Sequence, residues 1–199
     1  MTEAHFDLDD TIERRDKVEE LMYEVLQLLM PDTDIGTHPH LEATPIRWAK
    51  MMFDLCEPEA FRFTIFETDC DEMVVVRNIP FYTFCAHHML PFHGVAHVGY
   101  LPQGRLCGLS KLARAVQYFS RGLNVQEELT ANIAEYLEDS LKPLGVGVVM
   151  EAEHLCMAMR GVQTPGTVTS TSCMRGVFLD NEKQSRDEFL SIVRGNGQH

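Results

Sequence analysis

The sequence has no run of about 18 consecutive apolar residues, which excludes a membrane-spanning helix. Positive charge is scarce: 17 Lys and Arg stand against 30 Asp and Glu, a formal net charge of −13. A broad nucleic-acid surface needs a basic patch, so that class of partner is excluded. An anionic small molecule remains open, provided that a local basic cluster overcomes the overall repulsion. The N-terminal stretch "MTEAHFDLDD" is acidic and lacks the apolar segment of a signal peptide, so a cytoplasmic location is expected. In that compartment Cys56, Cys70, Cys85, Cys107, Cys156 and Cys173 are expected as thiols or metal ligands rather than disulfides. Internal repeats and low-complexity linkers are also absent. A chain of 199 residues, 45% hydrophobic, then reads as one domain with a proper core and a small appendage.

Residues 11 to 30 carry Val18, Leu21, Met22, Val25, Leu28 and Leu29 at helical spacing, and Pro31 ends the pattern. A polar loop covers 32 to 43, and a second helix starts with Thr44 as N-cap and Pro45 at its first position. The period then changes. "FRFTIFE", "EMVVVRNI", "HGVAHVGYLP", "GVGVVMEAEHLCMAMR" and "VTSTSCMRGVFL" read as strands, rich in β-branched and aromatic residues. Helices are expected near 110 to 121, 124 to 141 and 184 to 194. Helices first, then strands with helices between them, predict an α+β fold with a mostly antiparallel sheet.

Candidate chemistry concentrates in two places. In "FCAHHMLPF", Cys85 and His88 have the Cys-x-x-His spacing that lets a turn aim both at one metal ion, with His87 between them. In the strand read from Val146 to Arg160, alternate residues share a face, which aligns His154, Cys156 and Arg160. Taken singly, His154 and Cys156 read as a satisfied histidine and a buried thiol; together, ahead of Arg160, they read as the rim of a site. Cys156 is the natural third ligand, and three protein ligands leave a position for water. His38 and His40 compete as a pair but have no thiol near them in sequence. They read as loop residues, and His93 and His97 as strand residues.

The basic cluster that an anion needs is present. Lys111, Arg114, Tyr118 and Arg121 share one helical face, Ser110 is placed as N-cap, and a helix N-terminus suits a phosphate. Arg47 and Lys50 form a similar pair near another helix start. With Asn124 as N-cap, Glu127 falls at the third helical position of a capping box, a structural reading.

The motifs "CAHHMLPFHG", "GLSKLARAVQYFSRGLNVQEELT", "GVGVVMEAEHLCMAMRG" and "TVTSTSCMRGVF", with "TPIRWAK" upstream, together resemble the zinc-dependent GTP cyclohydrolase I family. The resemblance covers about residues 44 to 190. It divides the chain into an N-terminal helical extension, 1–43, and a catalytic domain, 44–199. It implies the tunnelling fold, in which the sheet assembles into a barrel ring. It also implies a homodecamer of two pentamers with intersubunit active sites. The implied reaction is hydrolysis of GTP at guanine C8, with release of formate and rearrangement to 7,8-dihydroneopterin triphosphate. This is the first step of pterin and folate, or of 7-deazaguanine, biosynthesis.

By position, the resemblance makes Cys85, His88 and Cys156 the ligands of one Zn2+ per subunit, with no redox cofactor. It makes His87 and His154 a proton-transfer pair, with Ser110 assisting. Gln126 and Glu127 become guanine contacts, Glu127 as a carboxylate that accepts from N1–H and the 2-amino group. Lys111, Arg114 and Arg160, joined by Arg47 and Lys50, become triphosphate and ribose contacts. One position departs: the family usually has glutamate where this chain has Ala86. A nitrile reductase or pterin synthase of the same fold is disfavoured by the Cys/His/Cys set, and a non-catalytic zinc scaffold by His87, His154 and Glu127.

Overall fold

The computed structural model describes residues 8–179 and 184–195. The chain forms two compact units, Met1–Glu57 and Pro58–His199. The first holds α1 (Leu8–Leu29) and α2 (Thr44–Cys56), which pack together. This division lies beyond the boundary expected after residue 43, because α2 belongs with α1. Ala43, not Thr44, occupies the N-cap of α2, and no side chain caps it. Among the described residues no helix is long and apolar enough to cross a membrane.

The second unit is built on a five-stranded sheet. In chain order its strands are β2 (Val74–Cys85), β3 (Pro91–Leu101), β5 (Leu123–Asn124), β6 (Gly145–His154) and β7 (Val168–Gly176). Their spatial order is β5-β2-β3-β6-β7, antiparallel except for the β2–β5 pair. A separate ribbon pairs β1 (Ile65–Glu67) with β4 (Arg105–Cys107), a strand the sequence patterning did not reveal. This is the α+β, mostly antiparallel architecture expected. β2 runs past Pro80, where the sequence reading stopped it. Among the described residues its only partner opposite β3 is β5, at Phe84 and Cys85, so most of β2 is an edge strand, where proline is tolerated.

Alternation along β3 and β6 sends even-numbered residues to one face. Ala96, Val98 and Tyr100 join Val146, Val148, Met150 and Ala152 in the main core, under α3 (Leu109–Phe119) and α4 (Gln126–Leu141). On the opposite face α6 (Gln184–Arg194) inserts the fully buried Phe189 near Val149 and Met174. Gly99 and Gly147 make room for it, since a Cβ on either would lie 2.7 Å from the Phe189 ring.

Gly94 is more tightly constrained. A Cβ there would lie 1.9 Å from the backbone oxygen of Glu151 and 2.7 Å from the Cα of Ala152, atoms that no rotamer change can move. Glycine at this point lets β3 and β6 approach closely enough to pair Phe92 with His154, two residues along. Gly94→Ala is therefore expected to destabilise the protein by about 1–3 kcal/mol, lowering the melting temperature by about 2–10 °C. Thermal unfolding followed by circular dichroism checks this.

Candidate metal centre and active site

Cys85 closes β2, and five residues, 86 to 90, turn the chain back into β3. The Cys85 amide donates to the Leu90 carbonyl (2.8 Å), while the Cys85 carbonyl accepts from the amides of His88 (3.3 Å) and Met89 (2.8 Å). Met89 takes a left-handed φ of 54° to complete the turn. This brings His88 Nδ1 to 3.9 Å from Cys85 Sγ, and His87 Nδ1 to 3.7 Å from the same sulfur.

The third member arrives by a route different from the one expected. β6 ends at His154, and Leu155–Ala158 forms a helical turn, α5, so Cys156 does not share a strand face with His154. Leu, Met and Ala there favour a helix over continued extension. The turn nevertheless brings Cys156 to the hairpin end. Ligand atoms of Cys85, His88 and Cys156 all lie within 4.8 Å of one another. Zn–S and Zn–N bonds of about 2.3 and 2.0 Å give tetrahedral edges of about 3.5–3.8 Å, so small adjustments close the set on an ion. Two thiols and an imidazole are the donors that a borderline-soft divalent metal selects. Burial, then the neighbouring Cys85 thiol, pushes the Cys156 thiol up, with Arg160 opposing. A metal reverses that balance by binding the thiolate.

Arg160 Nη1 donates to His88 Nε2 at 3.1 Å. A neutral imidazole has one lone pair. If Nδ1, which faces Cys85, gives its lone pair to a metal, Nε2 must carry the hydrogen, and the guanidinium has to move away.

His154 faces Phe92 across the β3–β6 ladder, and the rings stack at 4.3 Å with 7° between planes. Its Nε2 donates to Gln126 Oε1 at 2.6 Å. Burial lowers its pKa, and the Glu127 carboxylate partly offsets this. Gln126 is 2% exposed, whereas Glu127 is exposed in the first turn of α4. The capping box does not form. Val125 is the N-cap, and Asn124 instead donates to Thr83 Oγ1 (2.8 Å) and to the Arg121 carbonyl (3.3 Å). Phe92, Thr130 and Thr171 belong to this site but have no local signature, because only strand register and helix docking bring them to His154.

Gly108, not Ser110, caps α3, leaving Ser110 exposed inside the first turn. Arg114, Tyr118 and Arg121 line a cavity of about 220 Å³ with Phe61 and Glu59, and Lys111 is half-buried on α3; the helix ends at Phe119, so Arg121 reaches the cavity from the bend after it rather than from the expected helical face. Arg47 and Lys50 are exposed on α2 in the first unit, where Lys50 pairs with Asp54. His38 and His40 stay in the first unit's loop, His93 stacks on Tyr82, and His97 is buried beside Glu151.

Residues 18–194 match the family model described as GTP cyclohydrolase I. The GTP cyclohydrolase 1 of Sulfurihydrogenibium sp. (strain YO3AOP1) is 52% identical over 167 residues, covering 81% of this chain and 89% of that protein. That of Aquifex aeolicus (strain VF5) is 49% identical, with coverages of 81% and 90%. That of Streptococcus agalactiae serotype Ia is 42% identical over 186 residues, with coverages of 90% and 97%.

The division of labour among neighbouring side chains can be read from metal content. Cys85→Ala is expected to abolish metal retention, whereas His87→Ala and Arg160→Ala should retain about one metal per chain with turnover slowed. Elemental analysis of the purified variants decides, and loss of metal from His87→Ala would move that histidine into the ligand set.

Proposed function

The chain belongs to the GTP cyclohydrolase I family, and from that premise we propose how its residues convert GTP to 7,8-dihydroneopterin triphosphate. The observation that carries the assignment of roles is the convergence of Cys85, His88 and Cys156 at the same sheet end as His154 and Glu127. Cys85, His88 and Cys156 would hold one Zn2+, which acts as a Lewis acid and lowers the pKa of water toward neutrality.

Glu127 receives the guanine. Its exposed carboxylate accepts from N1–H and the 2-amino group, a charge-assisted pair that fixes the ring's orientation. His154 gives a proton to N7 as water adds to C8, which makes that carbon electrophilic. His87, beside the cluster, carries protons during ring opening and departure of formate, since an imidazole exchanges protons near neutral pH. Ser110 assists the later steps: opening of the ribose, an Amadori rearrangement and closure of the pyrazine ring. One water enters overall and formate leaves, so the redox change is internal and no redox cofactor is required.

Lys111, Arg114 and Arg160 take the triphosphate. We assign the protein to a decamer of two pentameric rings. The long edge strand β7 and the mostly unpaired edge of β2 support ring closure by strand pairing between copies.

Metal-loaded protein incubated with GTP is expected to release formate in step with the ultraviolet change of pterin formation. Glu127→Gln should lower kcat/KM for GTP by about 10–100-fold, the equivalent of one charge-assisted hydrogen bond. Absence of both products with several divalent metals would leave a zinc-binding scaffold as the better reading.

Ala86 is exposed, and its amide donates to the Asn124 carbonyl at 3.0 Å. Its side chain can neither accept a hydrogen bond nor balance a positive charge beside the metal cluster. Restoring the family's carboxylate in Ala86→Glu is expected to change metal affinity or turnover by about 10-fold. Equal values for the two proteins would show the alanine to be incidental.

A further inference from the structure

Gln126 opens α4 with its side chain directed into the protein. Nε2 lies 3.2 Å from the Met150 carbonyl oxygen, 3.0 Å from that of Thr169 and 3.1 Å from Thr171 Oγ1. Main-chain carbonyls only accept hydrogen bonds, so the group facing them must be the amide NH2. That removes the usual ambiguity about which way a glutamine amide points. Oε1 is then the atom 2.6 Å from His154 Nε2, and because an amide oxygen only accepts, Nε2 must carry a hydrogen. A neutral imidazole protonated there keeps its lone pair on Nδ1.

The support continues behind the amide. The Thr130 hydroxyl bonds to the Gln126 carbonyl at 2.7 Å and lies 2.6 Å from the Thr171 hydroxyl. One side chain thus ties the start of α4 to β6 and β7. Phe92 fixes the plane of the His154 ring from one side while Gln126 fixes its rotation.

We propose that Gln126 is a positioning residue for His154: its amide oxygen holds Nε2–H, so that Nδ1 is the atom that meets the substrate, bare in the resting protein and carrying to N7 a proton that it takes up from solvent. This rests on the reading of His154 as a proton-transfer group. It replaces the expectation that the Gln126 side chain reads guanine, a task left to Glu127. The arrangement follows the logic by which a buried aspartate orients the histidine of a catalytic triad, with a neutral amide in place of the carboxylate.

Metal-loaded protein labelled with 15N-histidine is expected to show His154 with a protonated Nε2 and an unprotonated Nδ1, the signals being assigned by their loss in His154→Gln. A protonated Nδ1 paired with a bare Nε2 overturns the proposal. In Gln126→Met, close in size but without the acceptor, kcat should fall by about 100-fold, the cost of a misdirected catalytic group. KM for GTP and metal content should hold. A raised KM at unchanged kcat overturns the proposal and returns Gln126 to guanine binding. Should Gln126→Met fail to assemble, the tautomer in the unsubstituted protein still decides. His154→Gln separates the two levels: unimpaired turnover there removes the proton-transfer reading itself and this inference with it.

Discussion

The ladder between β3 and β6 runs unbroken from Phe92–His154 to Leu101–Gly145. Through β3 it also fixes where the β2–β3 turn lies, since Phe84 pairs with Pro91 and Phe92 with His154. The hairpin carrying Cys85, His87 and His88 and the end of β6 leading to Cys156 therefore meet at the same end of the sheet. A slip by one residue would turn every side chain of β6 to the opposite face. Val146, Val148, Met150 and Ala152 would leave the core, and His154 would leave Phe92. Burial of those four residues is thus what holds the chemical groups in place, although none of them has a polar atom in its side chain.

The second support is the helical layer. α4 docks on β6 and β7 and presents Gln126 inward and Glu127 outward from adjacent positions at its first turn. One residue is sealed within a hydrogen-bonded network while its neighbour remains open to solvent. The same docking leaves Asn124 in β5, where it bonds Thr83 and the Arg121 carbonyl instead of capping the helix. Helix and sheet are stitched at the point where the His154 imidazole meets the first turn of α4.

Legibility in the sequence follows the range of the interaction. Cys85 and His88 can be read because a turn of four residues is a local object. The basic face of α3 can be read because helical periodicity is local as well. Thr44, Ser110 and Asn124 do not cap their helices, since a polar residue near a helix start has other partners available once the chain is folded. Cys156 joins the cluster by a path that alternation does not describe: the chain leaves the strand at His154 for α5. Phe92 beneath His154, and Thr171 behind Gln126, could not be read at all. Their positions depend on pairing between strands distant in the chain, which no local pattern encodes.

Gly94 also bears on the order of events in folding. Neither half of the cluster carries the full donor set: the hairpin turn holds Cys85 and His88, and α5 holds the single thiol of Cys156. They meet only after β3 and β6 have closed a long loop, a slow, entropically costly step that local contacts cannot shorten. A metal ion can therefore add little to the nucleation of this fold, in contrast to small zinc modules in which ion capture and chain collapse coincide. An ion held by Cys85, His88 and Cys156 would enter a frame already built around a residue with no side chain at all.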